Sequence, residues 1–289
     1  MKRRFLLALC MSVLSVSLFT QPALAAAPTL TIGLIPAEDA QAMLENSKQV
    51  ISSLQEQLGM PVKPFIATDY NGIIEALRAK KLDVAYLGPF SYVLASSVAN
   101  VEAFSVAETK KNGKSFYKSL IIVRKDSGIQ NIEQLKGQTM AFVDPTSASG
   151  HLFPSAGLRK NNIDPNKYFS RVIFSGSHDA SILAVANKKV DAAAVADRIL
   201  ASAIAKGVVK ESDFNIVWAS PDIPESPMVW RKDLDPALKK KIAAAFANIK
   251  DVKWGDQGVL NGFVATDDSA YNVVRDAAKI LNLDLKGMK

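Results

Sequence analysis

The sequence predicts an α/β protein with two lobes of like topology, and three observations lead to that fold class. Short apolar runs alternate with helical patterns along most of the chain, as in parallel sheets covered by helices on both faces. One segment of the first half recurs in the second half. No low-complexity stretch or flexible linker interrupts the alternation.

The apolar and helical patterns place the elements in order. We predict strands at residues 29–35, 62–67, 83–87, 103–107, 118–124, 139–143, 214–219 and 228–231. Helices are predicted at residues 38–58, 69–78, 88–98, 131–135, 152–159, 197–206, 238–249 and 269–281. Pro36 ends the first strand, and Gly59 and Gly207 close two of the helices.

Residues 70–85 parallel residues 178–193 without a gap, at an offset of 108 positions. Each copy has apolar residues at matched helical positions, then two lysines, then an aspartate before a buried strand. Two lobes that each contain one copy are the simplest account, although two unrelated helix–strand units remain an alternative. We predict lobe 1 at residues 26–120 and 224–289 and lobe 2 at residues 121–223. The hinge then lies at two crossovers, near residues 118–125 and 219–229.

Residues 1–25 have the pattern of a secretory signal. Lys2, Arg3 and Arg4 precede an apolar core, and Ala23-Leu24-Ala25 fits the small-residue cleavage pattern. Cleavage would leave 264 residues, remove the single cysteine, Cys10, and lower the formal net charge from +7 to +4. We therefore expect an exported protein of the cell envelope, without disulfides, thiolate metal sites or a cysteine nucleophile.

Among the candidate functional residues, Asp144-Pro145-Thr146-Ser147-Ala148-Ser149-Gly150-His151 lies between a predicted strand and a predicted helix. Small hydroxyl residues at a helix start meet unpaired N–H groups and a partial positive charge, which suits an oxyanion. An ordinary serine cap is the alternative. Tyr70 and His178 begin equivalent helices after strands, so lobes that face each other would bring both to the same cleft.

Four motifs occur in a characteristic order: Asp69-Tyr70-Asn71-Gly72-Ile73-Ile74, the turn at 144–150, Ser177-His178-Asp179-Ala180 with Ala184-Val185-Ala186-Asn187, and residues 227–234. Through these motifs the chain resembles, over nearly its whole mature length, the phosphonate- and phosphite-binding proteins of ABC importers. The resemblance implies a type II periplasmic binding fold, with two Rossmann-like lobes joined by two hinge crossovers. It also implies a periplasmic, monomeric binding protein that partners an inner-membrane permease and has no cofactor. The lysines are scattered, without a basic run interleaved with aromatic residues, so we expect no nucleic-acid partner.

The same resemblance implies the ligand residues. It assigns the serines of the family's binding turn to Ser147 and Ser149, its histidine to His178 and its tyrosines to Tyr70 and Tyr117. Ala148 stands where the family has threonine, so that position and Gly150 offer backbone N–H groups. Asp197 falls at or next to an acidic position of aminoalkylphosphonate binders, and Ser226 falls at the other, where it provides no carboxylate. A ligand ammonium would then have at most one counter-charge.

These residues favour a small ligand without an amine: phosphite first, then methylphosphonate or hypophosphite. In that interpretation, hydroxyls, phenols and N–H groups hold the anion, His178 donates in either charge state, and Asp197 accepts a proton or orients His178. The alternatives are an aminoalkylphosphonate-binding protein and an exported hydrolase that uses Ser149 and His178 with Asp197. The sequence has no nucleophile elbow, and we predict a binding protein and not an enzyme.

Overall fold

The computed structural model describes residues 28–110, 113 and 115–287, and the predicted signal at residues 1–25 lies outside them. Fourteen strands, β1 to β14 in chain order, form two sheets and a short ribbon in this part of the chain. The described helices longer than one turn are α1 (Ala40–Leu58), α2 (Tyr70–Arg78), α3 (Pro89–Val98), α4 (Phe153–Lys160), α6 (His178–Ala186), α7 (Asp197–Ala205), α8 (Pro236–Asn248) and α9 (Asn272–Ile280), with the single turn α5 at Pro165–Tyr168.

The sheet of lobe 1 has seven strands and is mixed. In sheet order they are β13 (Lys253–Trp254), β14 (Gly258–Ala265), β4 (Val101–Thr109), β12 (Pro227–Arg231), β3 (Val84–Tyr86), β1 (Leu30–Leu34) and β2 (Val62–Ile66). Strand β1 pairs in parallel with β2 and β3, whereas β12 runs antiparallel to β3 and β4, and β14 to β4. The expectation of parallel sheets is therefore confirmed for β1, β2 and β3 and wrong for β12 and β14. Strand β12 enters through a crossover from lobe 2, so no helix of its own lobe sets its direction.

The sheet of lobe 2 has five strands, in the order β10 (Phe214–Ala219), β6 (Ser119–Arg124), β9 (Ala192–Ala196), β7 (Thr139–Phe142) and β8 (Arg171–Phe174). Strand β7 is parallel to β8 and β9, whereas β6 is antiparallel to β9 and β10. Strand β6 spans residue 120, where the sequence placed the end of lobe 1.

The two lobes repeat each other down to the strand register. Thr31 pairs with Lys63 and Ile32 with Val84 in lobe 1, and the residues 108 positions later pair in the same way in lobe 2. The side chains repeat too. The Thr31 hydroxyl donates to Asp83 at 2.8 Å, and the Thr139 hydroxyl donates to Asp191 at 2.7 Å. The recurrence in the sequence is therefore a structural repeat.

The two crossovers form a short antiparallel ribbon. Strand β5 (Phe116–Tyr117) pairs with β11 (Ile223–Pro224), and the Glu225 N–H donates to the Ser115 carbonyl at 2.9 Å. Each crossover is thereby tied to the other between the lobes.

The lobes also contact each other directly across the cleft. The backbone N–H of His178 donates to the Ala37 carbonyl at 2.9 Å, and that of Tyr70 lies 3.4 Å from an Asp144 carboxylate oxygen. The Ser91 hydroxyl donates to the Thr146 carbonyl at 3.0 Å. These bonds join loops at the carboxyl ends of the strands, so the cleft lies at the sheet edge where α/β proteins bind ligands. None of the helices in the described ranges is both long and apolar enough to cross a bilayer.

Candidate functional site

The turn after β7 is a buried helix start. The Ser147 hydroxyl accepts the Gly150 N–H at 3.0 Å, and residues 148–152 form a π-helical turn before α4. This bond satisfies one of the N–H groups that a helix start leaves unpaired. The expectation that every N–H from Ala148 to Gly150 is available to a ligand is therefore wrong for Gly150, whose N–H is already used. Ser147, Ala148 and Ser149 are each almost fully buried.

Gly150 is required by close packing. A Cβ at this position would lie 2.4 Å from the Cβ of Val143 and 2.8 Å from the Ser147 hydroxyl oxygen. Any side chain would therefore push the turn away from the end of β7. The absence of a side chain at Gly150 keeps the serines at the sheet edge.

Tyr117 lies beside this turn, on the ribbon between the lobes. The Ser149 side chain lowers the pKa of the Tyr117 phenol against the effect of burial, and the Ser119 hydroxyl donates to the Ser149 carbonyl at 2.6 Å. Tyr117 is buried, and its burial raises the pKa of the phenol despite the nearby charge of Arg198. Its phenol therefore stays protonated and can donate a hydrogen bond.

Tyr70 approaches from lobe 1 at the start of α2. Asp69 caps this helix by accepting the Gly72 N–H at 2.7 Å. The cap fixes the backbone position of Tyr70, the first residue of the helix. Burial raises the pKa of the Tyr70 phenol, and the charges of Asp256 and Asp144 raise it further. Tyr70 is thus a second buried, protonated phenol, within electrostatic range of Tyr117.

His178 approaches from lobe 2 at the start of α6, the position that corresponds to Tyr70. The Ala196 N–H donates to Nδ1 of His178 at 3.1 Å, so the ring proton of the neutral form is on Nε2. Burial lowers the pKa of the imidazole to about 3, and the positive charge of Arg198 adds to the effect. His178 is therefore a neutral donor near pH 7, and the protonated form that the sequence left open is not favoured.

Asp197 lies at the start of α7, next to the first crossover. One of its carboxylate oxygens accepts the Lys118 N–H at 3.1 Å and the Arg198 N–H at 2.7 Å. Since a backbone N–H occupies Nδ1 of His178, Asp197 does not orient this imidazole. Ser149, His178 and Asp197 therefore do not form a catalytic triad in this structure. A ligand contact by Asp197 stays a prediction.

A cluster of buried charges borders these residues, and the sequence did not predict it. Arg198 contacts Asp256 from lobe 1 and Glu225 from the second crossover, at 2.6 and 3.3 Å. Burial raises the pKa of Glu225 to about 7, although Arg198 opposes the change. The sequence indicated only Asp197 as a counter-charge for a ligand ammonium, whereas the structure also buries Glu225 and Asp256 beside Arg198. Glu225 adjoins Ser226 in the chain, and its carboxyl group is paired with Arg198.

Glu38 adds a third buried carboxyl group on the lobe 1 side. Burial raises its pKa to about 7, with Asp256 in the same direction and Lys206 and Arg198 against it. The sequence predicted only that a helix begins at residue 38. Two features of the sequence could have indicated this cluster: Arg198, which follows Asp197 directly after β9, and Glu225, which precedes Ser226. Asp256 could not have been found in this way, because it lies in a loop without a recognisable pattern.

A cavity of about 790 Å³ lies between α2, α3 and the first residues of the turn after β7. Its lining includes Asn71, Glu75 and Arg78 from α2 and Asp144, Pro145 and Thr146 from the turn, but none of Tyr70, Tyr117, Ser147, Ser149 or His178. The side chains of these five predicted ligand residues are buried. No group of acidic, histidine or cysteine residues within the described ranges has the arrangement of a metal site.

Comparisons with known proteins agree with this architecture. The family described as "ABC transporter, phosphonate, periplasmic substrate-binding protein" matches residues 32–271. A phosphonates-binding periplasmic protein of Escherichia coli is 36% identical over 224 residues, which cover 76% of this chain and 65% of that protein. The matched segment thus spans just under two thirds of this relative. A phosphate-import protein of Mycolicibacterium smegmatis is 31% identical over 85% of this chain and 80% of its own length.

A solved structure of a binding-protein component of an ABC phosphonate transporter from Pseudomonas aeruginosa superposes with a TM-score of 0.79. It is 32% identical in sequence and covers 87% of this chain and 85% of its own. The comparisons confirm the predicted type II periplasmic binding fold, the periplasmic location, and a binding protein in place of an enzyme. The chain belongs to the family of periplasmic substrate-binding proteins of phosphonate ABC transporters.

Proposed function

We propose that this protein captures phosphite, and next to it methylphosphonate or hypophosphite, between its lobes and delivers the ligand to an inner-membrane permease. The observation that carries the proposal is the set of uncharged donors between the lobes. Two protonated phenols and a neutral imidazole with its proton on Nε2 are buried with the hydroxyls at the helix start after β7. Such groups suit an oxyanion that must leave again when the lobes open.

Neutral donors are sufficient for tight capture. A hydrogen bond to a charged partner contributes roughly 1.5–3 kcal/mol, so a few such bonds support micromolar binding after desolvation and closure are subtracted. Ser147, Ser149, Tyr70, Tyr117 and His178 are the proposed side-chain donors. The N–H groups of Ala148 and Ser149 add the partial positive charge of a helix start. Gly150 acts by keeping the turn close to β7.

Phosphite, methylphosphonate and hypophosphite fit this set of donors better than a larger ligand does. The donors can bind the oxygens of one phosphorus atom, and the neighbouring carboxyl groups are already paired with Arg198 and Tyr86. Asp197 is proposed to favour a ligand that still holds a proton. Replacing Asp197 with Asn would then lower the preference for phosphite over sulfate, and an unchanged ratio would remove Asp197 from the proposal.

An aminoalkylphosphonate is the second candidate, favoured by the buried carboxyl groups of Glu38, Glu225 and Asp256. Isothermal titration calorimetry of the mature protein with phosphite, methylphosphonate, hypophosphite, 2-aminoethylphosphonate and phosphate separates the candidates. We expect the tightest binding for phosphite and at least tenfold weaker binding for the amine. Tightest binding of 2-aminoethylphosphonate would contradict the proposal, as would tightest binding of phosphate, the ligand class named for the Mycolicibacterium relative.

A further inference from the structure

The guanidinium of Arg198 lies between two buried carboxylates at the base of the cleft. Its Nη1 donates to a carboxylate oxygen of Asp256 at 2.6 Å and to the Asp256 carbonyl at 3.0 Å, and its Nε lies 3.3 Å from Glu225. The Arg198 side chain is 14% exposed, and the two acidic side chains are 1% exposed. One cation of lobe 2 therefore compensates two acids that belong to lobe 1 and to the crossover.

Further hydrogen bonds hold the two acids in place from the lobe 1 side. The Tyr86 phenol donates to Asp256 at 2.6 Å, and the Gln257 amide donates to Glu225 at 3.1 Å and to the Tyr86 oxygen at 2.8 Å. Among the residues that the structure describes, the buried Gln257 Oε1 has no hydrogen-bond donor, and the buried Arg198 Nε has no hydrogen-bond acceptor. The charges of the cluster are also unequal, because one guanidinium faces two acidic side chains.

This cluster adjoins the proposed anion site. The guanidinium carbon of Arg198 lies 4.8 Å from the centre of the Tyr117 ring, so the two groups are in cation–π contact. Asp256 and Arg198 both lie within electrostatic range of His178 and Tyr70. A ligand with its phosphorus among the donors and an amine on a short carbon chain would therefore direct that amine toward the guanidinium.

The repeat provides an internal comparison for this position. Phe90 lies 108 positions before Arg198, also as the second residue of a helix that follows a buried strand, and it is fully buried in the core of lobe 1. The fold at this position is therefore satisfied by an apolar side chain. The positive charge of Arg198 at this position of lobe 2 therefore serves to pair with Asp256 and Glu225 and is not required by the helix.

We propose that Arg198 determines ligand specificity, because its guanidinium occupies the position in which Asp256 and Glu225 would otherwise hold the ammonium group of an aminoalkylphosphonate. A ligand amine would meet a fixed like charge and lose its hydration without gaining a counter-ion. A ligand that ends at its phosphorus atom or at a methyl group avoids this cost. The inference rests on the proposed function and explains how the protein would discriminate against aminoalkylphosphonates.

The test compares 2-aminoethylphosphonate with methylphosphonate by titration calorimetry in four proteins: the wild type, Arg198→Ala, Arg198→Gln and Arg198→Lys. In the two uncharged variants the carboxylates are left without their cation, so we expect the affinity ratio of the amine to the methyl ligand to rise at least tenfold. Arg198→Lys keeps a cation and should keep the wild-type ratio. Adding Glu225→Gln to Arg198→Ala should lower the ratio again, because one acceptor of the ammonium is neutralised.

Circular dichroism melting curves establish that each variant is folded, and using a ratio cancels any general loss of lobe closure. An unchanged ratio in the folded uncharged variants would overturn the role of Arg198. So would equal binding of both ligands by the wild type, a measurement that needs no variant. Either result leaves the proposed function in place when phosphite still binds most tightly. Failure of the wild type to bind any reduced-phosphorus ligand would instead overturn the proposed function.

Discussion

The same helix start occurs once in each lobe, with opposite chemistry. Asp39 caps α1 by accepting the Ala42 N–H at 2.9 Å, and Ser147 caps the corresponding turn of lobe 2 by accepting the Gly150 N–H at 3.0 Å. These residues are 108 positions apart, so the backbone device is repeated. In lobe 1, however, the cap is a carboxylate and is preceded by Glu38, whereas in lobe 2 it is a hydroxyl.

The difference shows how a symmetric fold acquires an asymmetric site. Both helix starts have N–H groups and a partial positive charge directed at the cleft edge, so topology alone provides two positions for an anion. The Asp39 carboxylate occupies the first position, and the carboxyl group of Glu38 lies next to it in the chain. The lobe 2 position has a hydroxyl cap instead, so we propose that the ligand binds there, with Tyr70 as the contribution of lobe 1.

The largest effect should follow from giving lobe 2 the cap of lobe 1. In Ser147→Asp the helix keeps a good cap, but a carboxylate faces the bound oxyanion, so we expect phosphite affinity to fall at least 100-fold, ~2.7 kcal/mol. Asp39→Ser makes the reverse exchange in lobe 1 and should change the affinity less than threefold. Calorimetry measures both. Equal losses in the two variants would mean that the helix starts do not differ in function.

The next largest effect should come from the third residue after each cap. Gly150→Ala copies Ala42 of lobe 1, but its Cβ would lie 2.4 Å from Val143, so the turn must shift and phosphite affinity should fall about tenfold or more. The matched exchange Ala42→Gly should leave affinity unchanged and lower the free energy of unfolding by about 0.5–1 kcal/mol. Wild-type affinity in Gly150→Ala would show that the turn tolerates displacement.

A smaller effect is expected on stability when Glu38, or its counterpart in lobe 2, Thr146, is replaced. The folded-state pKa of Glu38 is about 7, above the usual 4.5, so the native state holds a proton between these values and loses stability as pH rises through 7. Glu38→Gln should therefore raise the free energy of unfolding by about 1–3 kcal/mol at pH 8 and change it little at pH 4.5. Asp256, Asp179, Lys206 and Arg198 surround the carboxyl group.

Urea unfolding of both proteins at the two pH values measures this difference. Thr146→Val, a neutral change at the lobe 2 position, should show the same effect at both pH values. A Glu38→Gln variant whose advantage is equal at pH 4.5 and pH 8 would contradict the raised pKa.

The last prediction is that the imidazole of His178 does not titrate near neutral pH. The chain has two histidines, and they are held as opposite tautomers: Nδ1 of His178 accepts from Ala196, whereas Nδ1 of His151 donates to the Pro145 carbonyl at 2.8 Å. Because the pKa of His178 is lowered to about 3, its imidazole nitrogen resonances should not change between pH 5 and pH 8. Nitrogen-15 NMR resolves both rings. A midpoint near 6.5 for His178 would contradict a neutral donor.

The architecture of the protein was largely predictable from local patterns. The predicted strands 139–143 and 214–219 and the predicted helix 69–78 agree with the structure to within a residue, because their apolar periodicity and their caps lie in the same few residues. Strand β14 was missed. Its partner β4 lies far away in the chain, and Gly258 and Gly262 within β14 weaken its strand pattern.

The candidate site was predictable where each side chain follows a strand, and not where charges meet across the cleft. Tyr70, Ser147 and His178 can be found from the edge at which the strands end. Asp256 and Arg198 lie on different lobes, so their pairing depends on how the lobes close. The tautomer of His178 was also beyond local patterns, because it is fixed by the Ala196 N–H at the end of β9.

The ribbon of β5 and β11 has a mechanical consequence. Because the two crossovers are hydrogen-bonded to each other, we expect the ribbon to bend as one unit, so that the lobes rotate about a single axis. Tyr117 lies on this ribbon, whereas Tyr70 begins α2 of lobe 1. A rotation about the ribbon would therefore displace Tyr70 more than Tyr117. For the ligand site proposed above, we expect Tyr117 to be among the last groups to leave the anion when the lobes open.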